Sequence, residues 1–317
     1  MVHKPEVSFI ILNYNGISLL PDCLGAVEKA MAWEGRTHEV IVVDNGSSDG
    51  SVAMLKERFP FVRVIPLPEN RFVTSYNEGF AASRNDICIF LNNDMRVQKD
   101  FLPPLLAHFV NEDIFGVGPL VLSPKNHPAG MGVGKSKGCF GFGYFRARGI
   151  SYETVKANGL IEKDSPSLHI GAGAYDRQKY LDLGGLDPLF APCYWEDVDL
   201  CFRAWRRGWR VIFEPQSVVY HEHQGTTSRM YAKKHLRRIM GKNRHLFIWK
   251  NLLSLRYLVL YLFFLPFRLL IPLLKGDTGP FSAFMEALKS VKQVKAGRER
   301  EKQAAQKSDI EILWVSQ

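Results

Sequence analysis

Cysteine is scarce and poorly placed for the two small scaffolds that depend on it. Cys23, Cys88, Cys139, Cys193 and Cys201 are odd in number, widely spaced and free of any Cys-x-x-Cys pair. That excludes a disulfide framework and a zinc ribbon, and it fits a reducing compartment. Phosphate-cradling glycine loops are missing as well. No Gly-x-x-x-x-Gly-Lys-Ser/Thr occurs, and Gly171-Ala172-Gly173 lacks the third glycine of a dinucleotide fingerprint, so P-loop and nicotinamide chemistry are set aside. No apolar signal core stands ahead of the first strand-like run at Met1 to Glu6, and the amino terminus is expected to stay cytosolic. Acidic residues are absent from His223 to Gly276, where 11 Lys and Arg fall. The formal charge is +9, so the rest of the chain sums to 9 − 11 = −2. A groove for nucleic acid spread over the whole protein is therefore not expected. With 46% hydrophobic residues in 317, a fully disordered chain is excluded and a sizeable core is available.

Short apolar runs at Val7–Leu12, Glu39–Val43, Val62–Ile65 and Ile87–Leu91 read as buried strands. Between them, Leu19–Trp33, Ser51–Phe59 and Tyr76–Ser83 carry helical patterns. Such alternation predicts an α/β fold, doubly wound, with a mostly parallel sheet covered on both faces. Ligands of such sheets sit beyond the carboxyl ends of the strands. There the chain places Asn13-Tyr14-Asn15-Gly16, Asp44-Asn45-Gly46-Ser47-Ser48-Asp49-Gly50 and Asn92-Asn93-Asp94. Each cluster also suits a plain turn, since Asn, Asp, Gly and Ser dominate turns for local reasons. Asp44 can open an Asx-type turn, with Ser48 or Asp49 capping the next helix.

These segments, taken with Trp195-Glu196-Asp197-Val198-Asp199-Leu200, Gly184-Gly185-Leu186-Asp187, Arg203 with Gly208, and His221 with Gly225 and Ser228, resemble glycosyltransferase family 2. The branch they look like is the bacterial rhamnosyltransferase-like one, over roughly residues 5–230. The resemblance implies a GT-A fold, a nucleotide-diphosphate sugar as donor, a divalent cation (Mn²⁺ or Mg²⁺) and inversion at the anomeric carbon. It places Asp44, with Asn13 and Asn15, at the nucleobase, and Asn92 at a ribose hydroxyl. Asp94 and His221 become metal ligands, with His223 as the fallback for the second. Asn77 is placed near the diphosphate, at a helix start whose free N–H groups favour anions. Asp197 becomes the base. Gly171, Ala172, Asp187 and Glu196 are placed at the acceptor. Beside them, the aromatic faces of Tyr194 and Trp195 suit a stacking platform for an acceptor sugar, with core packing as the alternative.

The chemistry is consistent with those roles. A departing diphosphate gains negative charge, which a hard cation held by a carboxylate can neutralise. An acceptor hydroxyl is a poor nucleophile and needs a carboxylate to take its proton. Two departures from the family pattern stand out: Asn92 replaces the first aspartate of the usual Asp-x-Asp, and Phe72-Val73-Thr74-Ser75-Tyr76 replaces a more common Gly-Phe-Ala stretch. Val198, Cys201, Phe202 and Trp205 recur at helical spacing, so Glu196, Asp197 and Asp199 occupy a first turn. The helix dipole alone favours acids there.

From Tyr257 the chain is apolar up to Arg268 and again from Leu269 to Leu274. Two kinked amphipathic helices in a membrane interface are expected here, Trp249 on their apolar side, with a buried helical cap as the alternative. The divisions expected are a transferase domain over 1–225, a basic membrane-associated helical segment over 226–288, and a charged tail over 289–317, either an exposed helix or mobile. The whole reading is an inverting, metal-dependent transfer of a sugar, rhamnose first, to a hydroxyl of a membrane-linked glycan. The enzyme is expected in the cytoplasm, peripheral on an anionic inner membrane face. Transfer to a polyprenyl phosphate, or a non-catalytic nucleotide-binding membrane module, are the alternatives.

Overall fold

The computed structural model describes residues 5–122, 136–149, 165–167, 171–222 and 230–315. Strands β1 (Val7–Asn13), β2 (Glu39–Asp44), β3 (Val62–Pro66) and β4 (Ile87–Asn92) alternate with helices α1 (Leu20–Glu34), α2 (Ser51–Arg58) and α3 (Tyr76–Ala82). All four strands run parallel, in the order β3-β2-β1-β4. Side chains alternate across a strand. Phe9 and Ile11 therefore enter one apolar layer with Leu20, Leu24 and Val27 of α1, while Ile10 enters a second with Tyr76 and Phe80 of α3. Burial on both faces is why β1, β2 and β4 are continuously apolar; β3, at the sheet edge with Arg63 exposed, is only part-buried, a correction to a buried strand. The strands end on Asn13, Asp44 and Asn92, so the polar clusters sit at their carboxyl ends.

The chain continues through β5 (Met95–Val97), α4 (Leu102–Leu106), β6 (Ile114–Leu122) and a separate hairpin of β7 (Ser136–Gly141) and β8 (Tyr144–Gly149). After it come β9 (Ser165–Pro166), β10 (Gly173–Asp176), α5 (Arg177–Asp182), α6 (Glu196–Arg206) and β11 (Arg210–His221). The main sheet has nine strands and extends as β4-β10-β6-β11-β5, with β9 beside β11. Strand β10 lies antiparallel to both β4 and β6, and β5 antiparallel to β11. The second half is thus mixed, a correction to a mostly parallel sheet. Its antiparallel strands β5, β9 and β10 are only two to four residues long and give no strand-helix alternation from which direction is read.

Five helices complete the chain: α7 (Lys233–Asn251), α8 (Leu255–Leu274), α9 (Gly279–Leu288), α10 (Val291–Gln303) and α11 (Asp309–Val315). Helix α7 is not an interface helix. Its Leu246, Phe247 and Ile248 are fully buried in the same layer as Phe202 and Trp205 of α6. Two of its charges are answered by groups distant in sequence: Lys250 by Asp187 and Asp199, Arg238 by Glu286. Trp249 packs against His245, Tyr261 and Phe284 instead of facing outward. The expected charged tail is two docked helices, with Arg206 paired to Asp309 and Arg207 to Glu301.

Helix α8 differs from all of these. It is continuous for 20 residues through Pro266 and Pro272 and is long and apolar enough to cross a membrane, yet only 6% of its most apolar stretch is buried. Leu262, Phe263, Phe267, Leu270, Ile271 and Leu274 are exposed. Arg268, its charged interruption, turns back to the protein. The guanidinium donates from Nε to the Phe142 carbonyl at 2.8 Å and lies 3.9 Å from the centre of the Tyr144 ring. The hairpin turn comes so close that a Cβ at Gly143, where φ is 73°, would lie 2.6 Å from Cβ of Phe264.

Candidate active site

The loops after β1 and β2 are zipped together by side chains. Asn13 donates from Nδ2 to Asp44 Oδ2 at 2.8 Å, and Asp44 Oδ1 accepts the Ser47 amide at 2.9 Å. Asn15, in left-handed backbone with φ 47°, accepts the Ser48 amide, and its own amide donates to Ser47 Oγ. Asp44 and Asn13 are buried, and Asn93 adds a third member by donating to Asn13 Oδ1 at 2.7 Å. Sequence reasoning placed Asn13, Asn15 and Asp44 together but missed Asn93, whose neighbours in sequence carried the expected roles. Asp49 does cap by accepting the Ser51 amide, although the helix boundary falls at Gly50.

A second constellation forms where β5 meets β11. Register pairs His221 with Met95, the residue after Asp94, and the Asp94 carbonyl accepts the Glu222 amide at 3.1 Å. His221 Nε2 then lies 3.1 Å from Asp94 Oδ1. Asp94 is buried, and its Oδ2 has no hydrogen-bond partner among the described residues. A buried carboxylate oxygen left in that state is costly, and a hard cation shared with the imidazole would satisfy it. The donor set, one carboxylate oxygen and one imidazole nitrogen, suits Mn²⁺ or Mg²⁺ completed by diphosphate oxygens. Among the described residues no group of three His, Cys, Asp or Glu could hold a metal without such help. His223, the alternative ligand, lies outside the described residues. The buried Cys23 thiol donates to the Asn92 carbonyl, and burial first, then the charge of Asp94, pushes it up to about 12. It is a packing residue, not a nucleophile.

Asn92 accepts from the Tyr76 hydroxyl at 2.8 Å, which fixes its amide. Asn77 is a brace: Oδ1 accepts from Tyr180 Oη and the Leu186 amide, while Nδ2 donates to the Leu186 carbonyl. Its side chain thus ties α3 to the segment around Leu186, and the place expected for it near a diphosphate rests on the backbone N–H groups of the helix start. Asp197 arrives on the first turn of α6, its Oδ1 accepting the Val198 amide at 2.7 Å. Beside it, the Glu196 carboxyl is pushed well above its ordinary range, first by burial and then by the charge of Asp197. Its Oε2 is buried without a partner among the described residues. Asp199 points inward to Arg203, Lys250 and Asn251 and is a structural acid.

Of the positions expected at the acceptor, Ala172 and Trp195 are core residues. The Trp195 ring packs against Phe145 and Phe247. Asp187 caps the turn at Leu189 and holds Lys250 at 2.6 Å. Gly171 and Tyr194 are part-exposed, the latter packed against the core. An aromatic neighbour in sequence was read as a sugar platform because helical spacing does not reveal that a later helix will cover it.

Two sequence families describe this arrangement. The Glycosyl transferase family 2 profile matches residues 8–149, and that of Glycosyl transferase family group 2 matches 161–288. Over these two stretches the chain matches glycosyltransferase family 2. A pre-mycofactocin glycosyltransferase of Mycobacterium tuberculosis is 26% identical over 212 residues, 62% of this chain and 40% of that protein. An undecaprenyl-phosphate 4-deoxy-4-formamido-L-arabinose transferase of Klebsiella pneumoniae is 32% identical over 107 residues, 32% of this chain and 33% of that one. The chain thus spans well under half of these relatives. Among solved structures, GalNAc-T7 with UDP, GalNAc and Mn²⁺ superposes with a TM-score of 0.61 at 18% identity, covering 79% of this chain and 48% of that one. Mannosyltransferase PcManGT from Pyrobaculum calidifontis, in complex with GDP-Man and Mn²⁺, gives 0.57 at 14% identity over 99% and 86%. These likenesses show the GT-A fold.

Proposed function

We propose that this family 2 protein is an inverting, metal-dependent glycosyltransferase. It moves a sugar from a nucleotide-diphosphate donor to a hydroxyl of a membrane-linked acceptor at the cytosolic leaflet. The observation that carries this reading is the Asp94–His221 pair with its unsatisfied carboxylate oxygen, beside the Asn13–Asp44–Asn93 network at the ends of β1, β2 and β4. Asp44, Asn13 and Asn15 hold the nucleoside. Bound divalent cation supplies Lewis-acid stabilisation of the leaving diphosphate. Asp197 accepts the proton of the acceptor hydroxyl as its oxygen bonds to the anomeric carbon, and the electron pair of the breaking bond leaves with the diphosphate. Solved neighbours bound to UDP with Mn²⁺ and GDP-Man with Mn²⁺ support a nucleotide donor. Rhamnose is the first sugar to test, on the resemblance of the loop motifs.

Asp197→Asn tests the reading. Nucleoside diphosphate release from UDP-, GDP- and dTDP-sugars with Mn²⁺ should fall a hundredfold or more, within the ~10²–10⁴-fold range of general base catalysis, with donor binding unchanged. The Klebsiella relative's acceptor class and the exposed apolar α8 favour a second reading, transfer to a polyprenyl phosphate. That nucleophile is already ionised, so Asp197→Asn would then leave turnover with the lipid phosphate nearly intact.

A further inference from the structure

Immediately before Glu196 and Asp197, two successive side-chain-bearing residues stand in left-handed backbone: Tyr194 at φ 69° and Trp195 at φ 80°. Bulky residues adopt that region only where surrounding structure holds them there. The holder is helix α7. Asn243, fully buried, directs Nδ2 at three carbonyls of this loop, Phe190 at 2.7 Å, Cys193 at 3.0 Å and Tyr194 at 2.8 Å. One turn face further along, Lys250 places Nζ 2.6 Å from Asp187 Oδ2 and 2.8 Å from Asp199 Oδ1. Asn251 donates to the same Asp199 oxygen at 2.8 Å. Asn243 and Lys250 are 250 − 243 = 7 residues apart, two helical turns, so one face of α7 grips the chain on both sides of Asp197. Arg244 adds its guanidinium 5.6 Å from the Trp195 ring centre.

We propose that Asn243 and Lys250 are positioning residues for Asp197. Through them the basic carboxyl-terminal helix is part of the catalytic unit, setting the strained loop and the first turn of α6 from which the carboxylate is aimed. An amide nitrogen carries two hydrogens, so the three carbonyls share them. No apolar or acceptor-only side chain of similar size replaces that. Lys250 shares the buried Asp199 with Arg203 and ties it to α7, so the first turn cannot rotate without breaking a buried ion pair. A misplacement on the ångström scale is enough to lower turnover strongly while leaving ground-state binding of the donor alone. The nucleotide side of the site, Asp44 and Asp94, touches neither residue in any contact described above.

The inference rests on Asp197 being the base, and the test separates the two. Full-length Asn243→Asp, Lys250→Met and Asp197→Asn are compared with the parent by nucleoside diphosphate release from UDP-, GDP- and dTDP-sugars with Mn²⁺. Donor affinity is measured by calorimetry and folding by thermal melting. Asn243→Asp keeps the shape but loses the donor hydrogens. It is expected to lower kcat ten- to a hundredfold with the donor Kd within threefold of the parent, and Lys250→Met to do the same. A folded Asn243→Asp with kcat within twofold of the parent, alongside an Asp197→Asn that has lost a hundredfold, overturns the positioning role and leaves the base in place. Parent-like turnover in Asp197→Asn overturns both. Should Asn243→Asp not accumulate as folded protein, Lys250→Arg, which keeps the charge but not the ammonium geometry, reads the same split between kcat and Kd. Unchanged kcat there counts against the proposal.

Discussion

His221 Nε2 lies 3.1 Å from Asp94 Oδ1, and the contact is built by the antiparallel pairing of β5 with β11. The second carboxylate oxygen of this pair is buried and unsatisfied among the described residues, and the proposed cation would give it a partner. UDP or GDP with Mn²⁺ should therefore raise the melting temperature of the parent by several degrees. A ligand at a hundred times its Kd adds about 2.7 kcal/mol. In Asp94→Asn and His221→Ala the metal-dependent part of that rise should vanish. Melting curves with and without Mn²⁺ decide it, and variants that respond like the parent would remove the metal from this position.

Gly16, in the loop after β1, lies against two asparagines. A Cβ there would lie 2.0 Å from Asn93 Nδ2 and 2.4 Å from Asn13 Oδ1, the two atoms that make the 2.7 Å bond of the network. Gly16→Ala should push that bond apart and weaken donor binding tenfold or more, while overpacking costs roughly 1–3 kcal/mol of stability. Calorimetry with UDP and GDP in Mn²⁺ measures the first. Parent-like affinity would show that the Asn13–Asn93 contact has no part in holding the nucleotide.

Strands β1, β2 and β4 and the three helices were legible because each obeys a single local rule: buried parallel strands are continuously apolar, and the helices between them are periodic; β3, an edge strand with Arg63 exposed, was found without being buried. Helix α6 was legible for the same reason, from Val198, Cys201, Phe202 and Trp205. Asp94 and His221 came from motif resemblance, and only strand pairing shows them meeting. Helix α7 was misread for a physical reason. An acid-free run of basic residues looks like a lipid-facing surface when counted locally, but the counter-charges of Lys250 and Arg238 are Asp187, Asp199 and Glu286, supplied from outside that run. Trp195 was misplaced likewise, since its partner Phe247 is remote in sequence.

Glu196 gives a pH prediction whose sign is fixed. Burial, then the neighbouring charge of Asp197, raises its carboxyl in the folded protein, so the native state holds this proton more tightly than the unfolded chain does. The contribution to stability is full below the unfolded carboxylate range, about pH 4, and is lost as pH rises through the folded value. Glu196→Gln keeps a neutral amide in place of the neutral acid. It should melt close to the parent near pH 5 and progressively above it toward pH 8. Parallel melting curves across that range would mean that Glu196 does not hold its proton.

Helix α8 presents Phe263 and Phe267 outward while Arg268 is tied to the hairpin through the Phe142 carbonyl and the Tyr144 ring. Phe142, at the hairpin tip, is itself 71% exposed. A helix that crossed a bilayer would have to carry this hairpin contact into the hydrocarbon or break it, at a cost of about 2.5–3.5 kcal/mol for the arginine on insertion scales. Lying in the interface keeps the contact and still buries the apolar face. Each phenylalanine removed from water contributes about 1.5–3 kcal/mol, so Phe263→Asp with Phe267→Asp should abolish flotation with vesicles containing anionic phosphatidylglycerol. Nucleoside diphosphate release from a soluble donor should not change, because neither ring contacts the site. Undiminished flotation of the double variant would place the membrane contact elsewhere, and lost turnover would show that α8 supports the fold of the active site as α7 does.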